Sequence, residues 1–397
     1  MCLVRKTVVV RLVCIAATFL GWAGLAGCLR DARGGEKPRP SKERRLLYNC
    51  DGCSCLFVKK GSYTPGPITE ADLQAIVDEL TQPGSQLDTL LVCINAQVTF
   101  YPSEVGTMVG ALVPAERRRA WAPGSRQWVT NLESFYARGV DPYGVVLARA
   151  RRRGLEALLS CRMNDAHAGE EGSPLRCKLW LDHPEYRLGY GLDFARDEVR
   201  QYTFRIIAEA VRRYDCDGLE LDFNRFPTYF KSGTEAERIE KTSALVERVR
   251  RMLDEEGKRR GRRLVLAARV PTSYEQCRGI GLDPVVWAAR GWIDFLTVSE
   301  FLHVRYDLPV GPWKKRIAKT PVYGSIEVAH ADRSGPRLGY LSPDDYRRAA
   351  RHLWGDGVDG IYLFNFFCPR EEESRGFEPP FEVLKELGDP NRLGVKR

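Results

Sequence analysis

The sequence contains few histidines and lacks a glycine-rich phosphate loop. Only five of its 397 residues are His, and none is spaced as a pair on one helix face. A metal-dependent carbohydrate enzyme such as a deacetylase needs clustered His and Asp ligands, so this class is not favoured. No loop of the Rossmann or Walker type follows a predicted strand, which argues against a nucleotide-binding domain of either type.

The composition also lacks the signals of disorder, coiled coil and collagen. With 44% hydrophobic residues, the chain is long enough for one large α/β domain or two small ones. The formal charge of +9 comes largely from Arg-rich and Lys-rich runs at 151–153 and 258–263. Each run follows a helical pattern, where cations suit the helix carboxyl end. Without interleaved aromatic residues on one face, the charge does not predict nucleic-acid binding.

The amino terminus has the form of a secretory signal peptide. Cations at positions 5, 6 and 11 precede an apolar run at 12–26, and residues 25–28 read Leu-Ala-Gly-Cys. This tetrapeptide resembles a bacterial lipobox, which implies cleavage before Cys28 and lipid on its sulfur. We therefore predict a signal peptide at 1–27, a flexible tether at 28–44 and an exported, membrane-anchored lipoprotein of the cell envelope. An ordinary signal peptide and an uncleaved anchor are the alternatives.

Cysteine usage does not predict a metal site. Of the twelve Cys, two leave with the signal peptide and Cys28 is the predicted lipidation site, which leaves an odd number, nine, in the domain. The close cluster of Cys50, Cys53 and Cys55 is compatible with a metal. No second Cys or His cluster stands at zinc-site spacing, and export favours disulfides. We interpret these cysteines as structural and expect no metal and no cofactor.

Eight short apolar runs alternate with helical patterns along the chain. They lie at 46–49, 90–94, 155–163, 217–225, 264–270, 295–299, 321–328 and 360–366. Long aromatic insertions follow the second and third runs, and loops of this length are more often functional than idle. The pattern fits a single (β/α)8 TIM barrel better than a doubly wound sheet. We predict the barrel at 45–390, followed by a tail at 391–397.

The stretch DGLELDFNR, residues 217–225, predicts the site of function. At strand periodicity, Leu219 and Leu221 share one face, whereas Glu220, Asp222 and Asn224 share the other. Parallel strands are normally apolar on both faces. Carboxylates near the carboxyl end of a barrel strand therefore indicate a catalytic or binding site. The bland alternative is a pair of buried acids neutralised by neighbouring Arg or Lys.

The same rule collects further candidates at the other strand ends. As catalytic carboxylates we select Asp222, Glu327, Glu220 and Glu300. As substrate-binding residues we select Asn49, Asp51, Arg162, Asn164, Asp165, His167, Trp180, Asn224, Arg225, Arg269 and Asn365. Glycosidic cleavage needs two carboxyl groups flanking the scissile bond, and aromatic rings, Arg and Asn bind sugars. The collection suits a saccharide.

Four segments carry a resemblance to a known family. YDCDGLELDFNRFP at the fourth strand, SCRMNDAH at the third, the KLWLDHPEY loop and DGIYLFNFF at the eighth together resemble bacterial family-10-like glycosylhydrolase barrel proteins. The resemblance covers nearly the whole mature chain. It implies a TIM barrel and, more loosely, a glycoside hydrolase acting on a polysaccharide or oligosaccharide, because fold does not fix function.

The resemblance also suggests roles for the carboxylates. In many such barrels an acid at strand four works with another at strand seven or six, here Asp222 or Glu220 with Glu327 or Glu300. We prefer the pair Asp222 and Glu327, with Glu220 tuning a neighbour's pKa, and with Arg162 and Arg269 holding the ionised member. The run also resembles the chitinase strand-four pattern. The acid position there is occupied by Asn224, which argues against the chitinase mechanism.

The competing interpretation is a surface lipoprotein that captures a glycan without cleaving it. Carboxylates also bind sugar hydroxyls, so the residue types alone do not separate the two functions. Geometry does, because hydrolysis requires two carboxyl groups facing each other at roughly 5 to 10 Å. Under either interpretation the expected partner is a carbohydrate, with no nucleic acid and with membrane contact only through the N-terminal lipid.

Overall fold

Eight parallel strands form a closed barrel. A computed structural model describes residues 43–53, 56–167, 172–334, 337–372 and 376–395. The strands are β1 (Leu46–Cys50), β2 (Thr89–Cys93), β3 (Glu156–Arg162), β4 (Gly218–Asp222), β5 (Val265–Val270), β6 (Phe295–Val298), β7 (Val322–Ile326) and β8 (Gly360–Phe364). Each strand pairs with the next along the chain, and β8 pairs with β1. The predicted (β/α)8 barrel is confirmed.

Helices connect the strands on the outside of the barrel. They are α1 (Glu70–Leu80), α2 (Pro123–Ala137), α3 (Pro142–Arg152), α4 (Lys178–Asp182), α5 (Asp197–Arg213), α6 (Glu235–Arg260), α7 (Tyr274–Gly279), α8 (Pro284–Ala289), α9 (Gly311–Arg316) and α10 (Pro343–Gly355). Ser342 caps α10, with Pro343 in the first turn, the preferred positions of these residue types. After β8, two 3-10 turns, Cys368–Glu371 and Phe381–Lys385, follow instead of another α-helix in the described residues.

The insertion after β2 contains a helix that the sequence analysis missed. Helix α2 buries Trp128, Leu132 and Phe135, which have the spacing of one helix face. Its amino terminus reads Pro123-Gly124-Ser125, a combination more typical of a turn, and this start masked the pattern. The insertion after β3 is a short helix, α4, followed by a small hairpin of Arg187–Leu188 with Gly191–Leu192.

The two faces of β4 separate as the alternation predicts. Leu219 and Leu221 pack into the main hydrophobic cluster, which lies between the barrel and its helices. Glu220 and Asp222 instead point into the barrel, where their side chains bond to residues of other strands. Below them a separate apolar cluster fills the interior: Leu47, Leu91, Leu158, Ala267, Phe295, Tyr323, Tyr362 and Phe364. The interior thus changes from apolar to charged along the barrel axis.

The sequences Asp217-Gly218 and Asp359-Gly360 play equivalent parts where β4 and β8 begin. The carboxylate of Asp217 accepts the Ala157 N–H at 3.0 Å, and that of Asp359 accepts the Val322 N–H at 2.7 Å. Each carboxylate therefore fastens its strand to the start of the preceding one. A Cβ atom on Gly218 would lie 2.4 Å from the Val265 carbonyl oxygen, so only glycine fits where β4 and β5 approach this closely.

Both ends of the predicted barrel domain need adjustment. Arg44, assigned to the tether, is buried, and its guanidinium pairs with Glu156 at 2.6 Å at the start of β3. Leu393, assigned to the tail, is buried, and its carbonyl oxygen accepts a hydrogen bond from Arg351. Packing against the barrel therefore extends beyond the predicted boundaries. The sequence did not indicate this, because a charged or polar run gives no periodic signal of burial.

Several sequence predictions concern segments outside the residues that the structure describes. The signal peptide, the lipidation site Cys28 and most of the tether lie outside the described residues, as does Cys55. Within the described ranges, no helix is both long enough and apolar enough to cross a membrane. Cys53, Cys93, Cys161, Cys177, Cys216 and Cys277 are free thiols, so these six do not form the disulfides that export favours.

Candidate functional site

A charged layer occupies the carboxyl end of the barrel. Strand register places Asp222 level with Arg162 of β3 on one side and with Arg269 of β5 on the other. Above this layer opens a cavity of about 590 Å³. Five of the predicted site residues line it: Asp51, His167, Arg225, Glu327 and Asn365. This is the face on which barrel enzymes build their sites.

Arg269 joins Asp222 to Glu327. Its Nη1 donates to Asp222 Oδ2 at 3.0 Å, and its Nη2 donates to Glu327 Oε1 at 2.7 Å. Asp222 Oδ1 also accepts the backbone N–H groups of Asn224 and Arg225. Both carboxylates thus contact one guanidinium. The preferred pair of the sequence analysis is therefore brought together.

Glu327 has one oxygen turned to the protein and one available to a ligand. Ser299 and Ser325 donate to Oε1 at 2.8 and 3.0 Å, the same oxygen that Arg269 binds. Among the described residues, no donor bonds to Oε2. Glu327 lines the cavity, whereas Asp222, which is 1% exposed, does not. Of these two carboxylates, Glu327 is thus the one that a bound molecule meets first.

Glu220 lies deeper in the barrel, beneath Asp222. Its Oε1 accepts from Asn49 Nδ2, Ser160 Oγ and Tyr362 OH at 2.8 to 2.9 Å, whereas Oε2 is buried without a donor in the described part of the chain. Burial, and next the charge of Asp222, raise the pKa of Glu220 from its ordinary 4.5 to about 7. The prediction that Glu220 tunes the pKa of a neighbouring acid stays a prediction.

Glu220→Gln is expected to remove a pH-dependent loss of stability. Between about pH 4.5 and 7 the folded state holds a proton on Glu220 that the unfolded chain has released. The stabilising contribution is therefore complete below this window, falls as the pH rises through it and is gone above about pH 7. The total difference is about 3 kcal/mol. Urea unfolding of both proteins from pH 5 to 8 measures it; parallel curves would contradict the raised pKa.

A second network links β1, β3 and β4. The guanidinium of Arg162 bonds to Asp51 and, at 3.1 Å, to Asp165. Asp165 also accepts from Nδ1 of His167 at 2.7 Å, and Nη2 of Arg225 donates to Nε2 of that histidine at 2.8 Å. This bonding requires the histidine proton on Nδ1. Arg162 therefore pairs with Asp51 and Asp165. It does not bond to Asp222, so the expectation that Arg162 holds this acid was wrong.

Both carboxylates of this network are held in the ionised form. Burial by itself would raise the pKa of Asp51, but the charges of Arg162 and Arg225 outweigh burial and lower it. Burial likewise opposes ionisation of Asp165, but its hydrogen bond from His167 and the nearby charges of Arg162 and Arg225 hold its pKa well below the usual range. These two acids are suited to accept hydrogen bonds rather than to give up protons.

Three asparagines among the candidates position backbone or carboxylate groups. Asn49 bonds to Glu220 and Ser160 inside the barrel. Asn164 donates to the carbonyl oxygens of Leu192 and Thr228 and so fixes the hairpin after β3. Asn224, at the position of the chitinase acid, donates to the Glu300 carbonyl oxygen at 3.1 Å. Their amide groups are thus engaged in holding the site together.

Trp180 and Glu300 lie away from the cavity lining. The guanidinium groups of Arg176 and Arg187 lie 3.8 and 3.9 Å from the Trp180 ring centroid, so one must cover each face and a sugar cannot stack there. The carboxylate of Glu300 bonds to the Phe301 N–H and to Arg305. β6 ends at Val298, before Glu300. Beyond the end of a strand, the alternation of residues no longer predicts where a side chain points.

Sequence reasoning missed the residues that two loops bring to the cavity. His303 follows β6, and His330, Arg333 and Tyr340 follow β7. Their position after barrel strands was the available signal, since loops at this end build barrel sites. Leu302 and Asn365 have φ values of 64° and 58°, and such left-handed conformations in non-glycine residues are concentrated at functional sites. No group of His, Cys, Asp and Glu in the described ranges has metal-ligand geometry.

Comparison with known proteins gives the fold but no family. No family model matches the sequence, and no protein with a curated description does. The barrel is similar to a GH138 enzyme that targets pectin rhamnogalacturonan II, with a TM-score of 0.50 and 15% identity over 91% of this chain and 40% of the other. It is also similar to a group IV chitinase from Ostrinia furnacalis solved with allosamidin, with a TM-score of 0.50 and 12% identity over 87% and 98% of the two chains. The chain thus spans less than half of the GH138 enzyme, and it shares a TIM-barrel fold that glycoside hydrolases also use.

Proposed function

We propose that this chain is a glycoside hydrolase that acts on a polysaccharide or oligosaccharide at the carboxyl face of its barrel, with Asp222 and Glu327 as the two carboxylates. The observation that carries the proposal is the Arg269 bridge between them, in which Glu327 lines an open cavity. The lipid anchor inferred from Cys28 belongs to the same proposal and would place the enzyme in the cell envelope.

The two carboxylates have environments suited to different roles. Asp222 accepts two backbone N–H groups and an Arg guanidinium. It is the ionised partner in the proposal. Glu327 has Oε2 available towards the cavity and carries the proton that is donated to the glycosidic oxygen.

Capture of a glycan without cleavage is the second candidate, and one observation favours it. The acids of the Arg162 network, Asp51 and Asp165, both have lowered pKa values. The carboxyl with a raised pKa, Glu220, is 0% exposed and lies below Asp222. General acid catalysis needs a proton on a carboxyl that reaches the leaving oxygen. Glu220 cannot deliver its proton to a leaving oxygen in the cavity, because Asp222 lies between them.

A panel of polysaccharides separates the two candidates. The full chain is incubated with neutral and acidic glycans, and both the released reducing ends and the bound fraction are measured. Release from at least one glycan, with kinetics that saturate with substrate, supports the hydrolase. Binding without release on every glycan overturns the hydrolase in favour of capture. Identical assays with the surface variant Glu240→Gln control for the effects of removing one exposed carboxylate.

A further inference from the structure

One buried cation beside the cavity has no carboxylate hydrogen-bonded to it among the described residues. Arg225 lines the cavity and is only 6% exposed. Its Nη2 donates to His167, but Nε and Nη1 are buried and have no acceptor among the described residues. Buried guanidinium groups are normally paired, because leaving their N–H groups unmatched is costly. These two donors therefore call for an acceptor supplied from outside the protein.

The position of Arg225 is fixed on several sides. His167 accepts from Nη2 and is itself held by the buried carboxylate of Asp165. The backbone N–H of Arg225 bonds to Asp222 Oδ1 at 3.1 Å. The ring centroids of Phe226 and Phe364 lie 5.6 and 5.9 Å from the guanidinium carbon. Such support from surrounding residues is typical of a preorganised binding group. The unmatched N–H groups of Arg225 therefore have a fixed position near Asp222.

The acids at the cavity do not satisfy these donors. Asp51 is paired with Arg162, and Glu327 is paired with Arg269. Arg225 lowers the pKa of Asp51 through its charge, but no hydrogen bond joins them. Further basic side chains line the same cavity: His303, His330 and Arg333. These three residues are more exposed than Arg225, so a ligand group with negative charge would pass them before it reaches Arg225 deeper in the cavity, which Glu371 also lines.

We infer that Arg225 forms a subsite for an anionic group on the saccharide, either a uronate carboxylate or a sulfate ester. The inference rests on the proposed function in that the cavity binds a glycan, and it narrows the substrate class to acidic glycans. Each unmatched N–H of Arg225 offers an anion oxygen a charge-assisted hydrogen bond, which is stronger than one to a neutral acceptor. A neutral sugar offers hydroxyls, which leave the charge of Arg225 uncompensated.

Calorimetric titration of the full chain tests the subsite. The probes are trigalacturonate, galactotriose and galactotriose bearing one sulfate ester, each added to wild type, Arg225→Gln and the exposed control Arg205→Gln. We expect wild type to bind one acidic probe at least about tenfold more tightly than the neutral probe, and less tightly as NaCl is raised. Arg225→Gln should remove this preference, while Arg205→Gln should keep it. The tighter acidic probe identifies carboxylate or sulfate as the source.

Equal affinity for acidic and neutral probes in wild type would overturn the inference, as would an acid preference that survives in Arg225→Gln. If Arg225→Gln does not fold, as judged by circular dichroism, the wild-type comparison and its salt dependence decide alone. Failure of the proposed function looks different. An acid preference that Arg225→Gln removes, in a chain that releases no sugar, keeps the subsite and overturns the hydrolase. Release from neutral glycans that Arg225→Gln leaves unchanged keeps the hydrolase and overturns the subsite.

Discussion

Glu327→Gln is expected to lower kcat by about three orders of magnitude on any glycan that the wild type cleaves. Positioned proton transfer contributes factors of roughly 10²–10⁴, and an amide cannot donate the proton that a carboxylic acid gives. The fold should survive, because the amide oxygen still accepts from Ser299, Ser325 and Arg269. Stopped assays of reducing-end release, with thermal unfolding as a check on folding, measure the effect.

The matched variant Asp222→Asn should show a loss of similar size. The Asn side-chain oxygen can still accept the N–H groups of Asn224 and Arg225, so the loop keeps its shape while the charge disappears. Glu240→Gln, on the exposed side of α6, should retain full activity. A glycan cleaved at the wild-type rate by Glu327→Gln would remove Glu327 from the mechanism. Retained binding together with lost turnover would distinguish a catalytic role from a binding role.

Strand alternation and strand order were sufficient to predict the fold and the centre of the site. Asp222 and Arg269 belong to the regular parts of β4 and β5, where parity gives direction and register gives neighbours. Glu327 follows the last residue of β7 and still joins them. A sequence that places charges on the inner face of consecutive strands therefore specifies their meeting, because the barrel leaves them no other direction.

The partners chosen by side chains at the strand ends and in the loops could not be predicted in this way. Arg162 ends β3 beside Asp222, but its guanidinium turns to Asp51 and Asp165, a choice among carboxylates that register does not determine. Trp180 has the composition of a sugar platform, and two arginines cover it. His303 and Arg333 reach the cavity only because of loop paths. Periodicity describes helices and strands and carries no information on such paths.

Arg269→Met is expected to lower the free energy of unfolding by about 3–5 kcal/mol, the cost of leaving buried charge without its partner. Arg269 is 1% exposed and is the only described cation hydrogen-bonded to either Asp222 or Glu327 through its side chain. Its removal leaves two buried carboxylates facing each other. Burial alone would lower the pKa of Arg269, but the charges of Asp222 and Glu327 raise it above its ordinary value. Urea denaturation at neutral pH, with the exposed variant Arg205→Met as control, measures the change.

The cause of that loss can be separated from the loss of packing around the Arg269 stem. In the background of Arg269→Met, the further changes Asp222→Asn and Glu327→Gln neutralise both acids while nearly preserving their shapes. If unpaired charge is the cause, the triple variant should recover most of the lost stability, since neighbouring substitutions of this kind are strongly non-additive. If the triple variant is less stable than Arg269→Met, the loss comes instead from the missing contact between the guanidinium and Phe364. The guanidinium carbon of Arg269 lies 3.9 Å from the centroid of that ring. Recovery of stability would then show that Arg269 offsets the cost of holding two acids buried and close together, an arrangement that the proposed mechanism needs.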